Sequence, residues 1–135
     1  MINKSNIFIT STGTNLGKTY CSVEIIKKLR EKNIDINVYK PILSGFNKKE
    51  IEISDSYKLL SSNNITPNLN NIKQITPWLY KEAIAPSVAA VKEKKSLVYE
   101  EVASWAKDKI NNANENTVNV FEGAGGIMVP IEGKK

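Results

Sequence analysis

Histidine is absent from the chain, and cysteine occurs once, at Cys21. The first absence excludes imidazole acid–base catalysis and histidine-built metal centres, so proton transfer and metal binding fall to lysines, carboxylates, hydroxyls and substrate groups. The second excludes an internal disulfide, and Cys21, set in a stretch with helical spacing, reads as a small residue packed on the inner side of that helix. Long apolar runs are also missing. Nothing approaches the roughly 20 residues of a membrane-spanning helix, and Met1 to Lys4 has no apolar core of a signal peptide. A cytoplasmic protein with no membrane partner is the expectation.

Charge is unbalanced but not segregated. The formal net charge is +5, from 19 basic and 14 acidic residues, yet Lys27, Lys28, Arg30 and Lys32 are interleaved with Glu24 and Glu31. That is the pattern of a solvated helix face, so no nucleic-acid partner is expected. With 135 residues, 41% of them hydrophobic, the chain is long enough for one core and too short for two. A single domain over residues 1–135 is expected.

Between the apolar run Ile7-Phe8-Ile9 and a helical pattern of Cys21, Ile25, Ile26 and Leu29 lies Thr10-Ser11-Thr12-Gly13-Thr14-Asn15-Leu16-Gly17-Lys18-Thr19. A triphosphate needs inward-facing backbone N–H groups, a cation and a hydroxyl for magnesium. Gly17 allows close backbone approach, Lys18 supplies an ammonium for the β- and γ-phosphates, and Thr19 supplies the hydroxyl. The helix N-terminus that follows adds its dipole. The common pattern G-x-x-x-x-G-K-[ST] would place its first glycine where this chain has Thr12, with Gly13 one place late. The match is either a variant phosphate loop or an ordinary Gly/Thr turn, and the strand, loop, helix order favours the loop.

Further along, Ile7 to Ser11 and Ile36 to Lys40 read as strands and Lys18 to about Lys32 as the helix between them, a parallel unit. Asp55 to Ser62 reads as a short helix capped by Ser54 or Asp55. Ile65 to Ile75, rich in asparagine and with prolines at 67 and 77, reads as a surface excursion with no core element. Helices are expected from Pro86 to Lys94 and from Tyr99 to Asn112. Thr117 to Phe121 reads as a third buried strand running into Glu122-Gly123-Ala124-Gly125-Gly126. All three candidate sites, the loop, Lys40 and Glu122, then fall at the carboxyl ends of strands, where parallel α/β sheets bind ligands.

The set Thr14 to Thr19, Tyr39-Lys40-Pro41-Ile42-Leu43-Ser44-Gly45, Ser54-Asp55 and Glu122 to Gly126 closely resembles dethiobiotin synthetase, in that order and at similar spacing. The resemblance covers nearly the whole chain, and its most specific parts are the K-P-x-x-S-G and E-G-A-G-G segments. It implies a P-loop NTPase-like α/β fold, a mostly parallel sheet flanked by helices, incomplete at its C-terminal end. It also implies ATP- and Mg²⁺-dependent carboxylation of 7,8-diaminopelargonic acid by CO₂, with closure of a cyclic urea and release of ADP and phosphate. The protein would act as a homodimer. By this likeness Asn15, Leu16, Gly17, Lys18, Thr19 and Tyr20 would wrap the phosphates of ATP, while Thr19, Asp55 and Glu122 would hold Mg²⁺. Lys18 and Lys40 would be the catalytic cations. Ser44 and Thr14 would contact substrate, and Gly123, Ala124 and Gly125 would offer backbone N–H groups to substrate and phosphate.

Two departures from the family stand out: Ser11 replaces a loop glycine, and Ser87 in Ala85-Pro86-Ser87 replaces a histidine, so Ser87 is left out of the site. The chain also stops before the part of the family that finishes the sheet and recognises adenine. Alone, it is expected to be unstable or inactive. Two other readings remain open, a P-loop amidoligase of the cobyrinic acid diamide type and a nucleotide-switch ATPase of the partitioning or septum-positioning type. The first usually carries a glutaminase portion that is absent here, and the second carries an extra lysine where this chain has Thr12 and Gly13.

Overall fold

The computed structural model describes residues 4–132. In chain order the elements are β1 (Ser5–Ile9), α1 (Lys18–Glu31), β2 (Asp35–Tyr39), β3 (Ile42–Leu43), a 3₁₀ turn (Ile51–Ile53), α2 (Asp55–Ser62), α3 (Leu69–Ile75), β4 (Trp78–Leu79), α4 (Pro86–Lys92), α5 (Tyr99–Asn112) and β5 (Thr117–Glu122). Three helices stop where a residue enters the left-handed region, Asn33, Asn64 or Lys94. In each case the next amide bonds back into the last turn, Ile34 to Leu29, Ile65 to Leu60 and Lys95 to Ala90.

The main sheet is parallel, with β5 inserted between β1 and β2. Ile7 and Val38 both lie opposite Val120, so the three strands end within one residue of one another, at Ile9, Tyr39 and Glu122. β5 is buried along its whole length. One face of the sheet, carrying Ile36, Val38, Val118 and Val120, packs under Ile26 of α1 and Leu59 and Leu60 of α2. Each such side chain contributes roughly 1.5–3 kcal/mol on burial. On the other face Tyr39 stacks at 4.8 Å on Phe121 and meets Trp105 of α5 edge-on at 5.5 Å. Burial raises the Tyr39 phenol above its ordinary pKa. On that face, too, a ladder of amides crosses the sheet: Asn37 donates to Asn119 at 3.0 Å and Asn119 to Asn6 at 2.9 Å.

Four readings of the sequence need correction. The segment from Ile65 to Ile75 is not a mere excursion, because Asn68 caps α3 by accepting from the Asn71 amide, and Ile72 and Ile75 are buried in the core. Cys21 is exposed; the inward face of α1 is Lys18, Ser22 and Ile26, one helical turn apart, and Cys21 lies off that line. The paired two-residue strands β3 and β4 have no counterpart in the sequence reading. Finally, the first two strands run from residue 5 to 9 and from 35 to 39, which leaves Lys40 just past the end of β2. No helix among the described residues is long and apolar enough to cross a membrane.

Candidate active site

The loop after β1 enters α1 through Gly17, whose φ of 94° lies in the left-handed region and suits glycine. Asn15 takes the same region at φ 56°, which asparagine tolerates. Ser11, in place of a family glycine, has no such angle, so serine costs nothing there. Amides of Thr14, Asn15 and Gly17 through Tyr20 donate to no described backbone carbonyl, as expected of a helix start open to an anion. Lys18 Nζ folds back over the loop, donating to Ser11 Oγ at 3.1 Å and to the Gly13 carbonyl at 3.2 Å.

The segment after β5 is sewn to this loop. Gly123 donates to the Ile9 carbonyl at 2.9 Å and Ile127 to the Ser11 carbonyl at 2.8 Å. A Cβ on Gly126 would lie 2.7 Å from the Thr12 carbonyl oxygen, so this approach requires glycine. One expectation changes as a result. The Gly123 amide is engaged with Ile9 and does not face a ligand; its carbonyl instead accepts from Lys40 at 2.7 Å.

Lys40 and Glu122, from the ends of β2 and β5, meet in a buried pair at 3.0 Å with side chains 3% and 0% exposed. Glu122 Oε1 also accepts from Thr19 Oγ1 at 2.7 Å, and its Oε2 accepts from Ser22 Oγ at 2.6 Å. Every oxygen of this carboxylate therefore has a donor, which offsets the cost of burying it. Asp55 approaches Lys40 to 3.7 Å. It is free to do so because Ser54, not Asp55, caps α2 by accepting from the Tyr57 amide.

These groups border a cleft of about 690 Å³ lined by Thr14, Asn15, Gly17 to Tyr20, Lys40, Ser44, Asp55, Ala124 and Gly125. Eleven of the fourteen residues expected at the site are thus gathered by one cavity or its rim, with Glu122 and Gly123 behind Lys40. The Ser44 Oγ is buried there with no hydrogen-bond partner. Leu16 does not line the cleft; its side chain is 61% exposed and packs near Gly13. Chemically, two ammonium groups, free amides and hard oxygen donors suit a polyphosphate with a divalent cation.

Residues 5–135 match the family described as an AAA domain. The chain belongs to that family. Its α/β fold, with the phosphate loop between β1 and α1 of a parallel sheet, agrees. Among curated proteins it is similar to the ATP-dependent dethiobiotin synthetase of Bacillus velezensis, 38% identical over 93% of this chain and 51% of the relative. The enzyme of the same name from Clostridium botulinum strain Okra is 36% identical over 96% of this chain and 56% of the relative. That of Methylobacterium nodulans is 28% identical over 94% and 58%. The resemblance read from the motifs holds, and the chain spans about half the length of the curated relatives it matches.

Sequence reasoning missed two contributors in this AAA-domain chain. Ile84, Ala85 and Pro86 form an apolar wall of the cleft facing the loop. Only the A-P-S triplet hinted at it. Ser22 is fully buried against Glu122, and its signal was the spacing of four from Lys18, which places both on one face of α1.

Proposed function

We propose that this chain is the ATP-binding part of a dethiobiotin synthetase that carboxylates 7,8-diaminopelargonic acid and closes the cyclic urea. The observation that carries the reading is the convergence of Lys40, Thr19 and Asp55 on the mouth of the phosphate loop, around buried Glu122. A second lysine at that place adds positive charge where a phosphoryl group would pass to an organic anion, which a nucleotide switch does not call for.

In this reading the loop amides and Lys18 hold the phosphates of ATP. One amine of the substrate takes up CO₂ as a carbamate, whose oxygen attacks the γ-phosphorus and displaces ADP. The second amine then attacks the mixed anhydride carbonyl, and phosphate leaves as the ring closes. Lys18 and Lys40 neutralise the charge that gathers on the carbamate and the transferring phosphoryl group, so catalysis is electrostatic and uses no protein nucleophile. Ser44, whose hydroxyl lacks a partner, and Thr14 orient the organic substrate.

The donor set fits Mg²⁺. Thr19 and Asp55 line the cleft with hard oxygen groups, and Glu122, buried behind Lys40 with both oxygens hydrogen-bonded, would hold the ion through Thr19, whose hydroxyl proton it accepts. Mg²⁺, when bound, supplies further charge neutralisation on the triphosphate. A homodimer acting in the cytoplasm belongs to the same reading.

The decisive measurement is incorporation of ¹⁴C-bicarbonate into acid-stable product by the full-length protein with ATP, Mg²⁺ and the diamine. Wild-type protein is expected to incorporate label and a folded Lys40→Ala variant to lose it. Glutamine-dependent ATP turnover without incorporation would replace this reading with an amidoligase.

A further inference from the structure

Thr19 and Ser22 sit one turn apart on α1, and each holds a different oxygen of the same buried carboxylate, Oε1 at 2.7 Å and Oε2 at 2.6 Å. Ser22 is 0% exposed and also lies 2.9 Å from the Lys18 carbonyl. A serine hydroxyl has one proton, and both neighbours are acceptors, so only one of them can receive it. The charged and closer acceptor is Glu122. The Lys18 carbonyl retains its place in the helix ladder, where a serine back-bond is an optional second contact.

From this geometry we infer that Ser22 is a positioning residue for the site. Its hydroxyl fixes Oε2 so that Oε1 alone faces Thr19 and Lys40. Without it, the carboxylate can turn about its terminal bond, and either oxygen competes for the Thr19 hydroxyl and the Lys40 ammonium. Lys40 already divides its protons between Oε1 and the Gly123 carbonyl, so a turning carboxylate releases it from its register at the cleft mouth. Ser22 itself touches neither the cleft nor its ligands. The inference rests on the proposed reading only in taking the cleft as a Mg²⁺–nucleotide site.

The test uses the full-length protein and a non-hydrolysable ATP analogue, titrated calorimetrically across Mg²⁺ concentrations. Loss of a group that orients a metal ligand costs about 10–100-fold in metal affinity or activity. For Ser22→Ala the Mg²⁺ needed for half-maximal analogue binding is expected to rise by at least about tenfold. Ser22→Cys, which keeps the side-chain size but donates weakly, is expected to behave as Ser22→Ala and carries the test should Ser22→Ala not fold. Ser22→Thr, which restores the hydroxyl, is expected to bring the requirement back toward wild type. Folded alanine or cysteine variants with the wild-type Mg²⁺ requirement would overturn the inference, as would wild-type protein whose analogue binding ignores Mg²⁺. No diamine or CO₂ enters this measurement, so a failure of carboxylation alone overturns the reaction assignment and leaves Ser22 in its role.

Discussion

A lysine side chain only 3% exposed beside a glutamate that is fully buried is costly unless each satisfies the other. Removing Lys40 leaves Glu122 buried with its charge unpaired, so Lys40→Ala is expected to lose about 3–5 kcal/mol in urea unfolding as well as its role in the reaction. The double variant Lys40→Met/Glu122→Gln separates the two effects. Glutamine can place its amide NH₂ toward Ser22, whose hydroxyl then turns to the Lys18 carbonyl 2.9 Å away, so the buried side chains stay paired and the partly buried Gly123 carbonyl, which loses its Lys40 donor, is the remaining cost. Most of the stability should return while ATP-dependent incorporation stays absent. Stability that fails to return would mean the pair itself, not its imbalance, holds the strand ends together. Gly126 makes a second test. A methyl there would press on the Thr12 carbonyl at 2.7 Å, and Gly126→Ala is expected to cost about 1–3 kcal/mol by overpacking and to weaken nucleotide binding by shifting the loop, both readable in one thermal-shift series with and without ATP.

At the level of elements, α3 is anchored by two side chains. Ile72 is fully buried and Ile75 nearly so, and Ile72→Ala is expected to destabilise by about 2–5 kcal/mol, measured by the same unfolding titration. A loss below 1 kcal/mol, on the order expected for a surface site, would show that α3 is no part of the core. This helix was not legible in the sequence because asparagines at 68, 70 and 71 lower helix propensity, and its three apolar positions, Leu69, Ile72 and Ile75, span only about two turns. The informative residue was Asn68, a favoured N-cap that reads equally as a loop residue. What was legible followed from chemistry held in short contiguous segments: the phosphate loop, Lys40 at a strand end, and Glu122 before a glycine run. Pairings made only in three dimensions were not. The two-residue strands β3 and β4 carry no alternation, and nothing near Thr117 to Glu122 says that β5 lies between β1 and β2. The choice of Ser22 rather than Cys21 for the inner face of α1 turned on a one-residue difference, 100° around the helix, that the apolar pattern alone resolved wrongly.

For the whole molecule, the sheet has two sides with unequal cover. The face under α1 and α2 is packed, whereas on the face of α5 the β1 edge carries Phe8 at 65% exposure. Among the described residues β1 pairs with no strand but β5, so around Phe8 its other edge is open next to an exposed aromatic ring. Beside the loop that follows β1, Ile127 and Met128 are 66% and 89% exposed. An open edge strand flanked by apolar side chains is a template for pairing with another chain. The 135-residue chain on its own is therefore expected to self-associate in sedimentation velocity as its concentration rises. A lysine on an edge opposes strand pairing by charge repulsion between copies, so Phe8→Lys should shift the distribution toward monomer, more strongly at low salt, where screening is weaker. A chain that stays monomeric, or an association that Phe8→Lys leaves untouched at every salt concentration, would place the sticky surface somewhere other than the β1 edge.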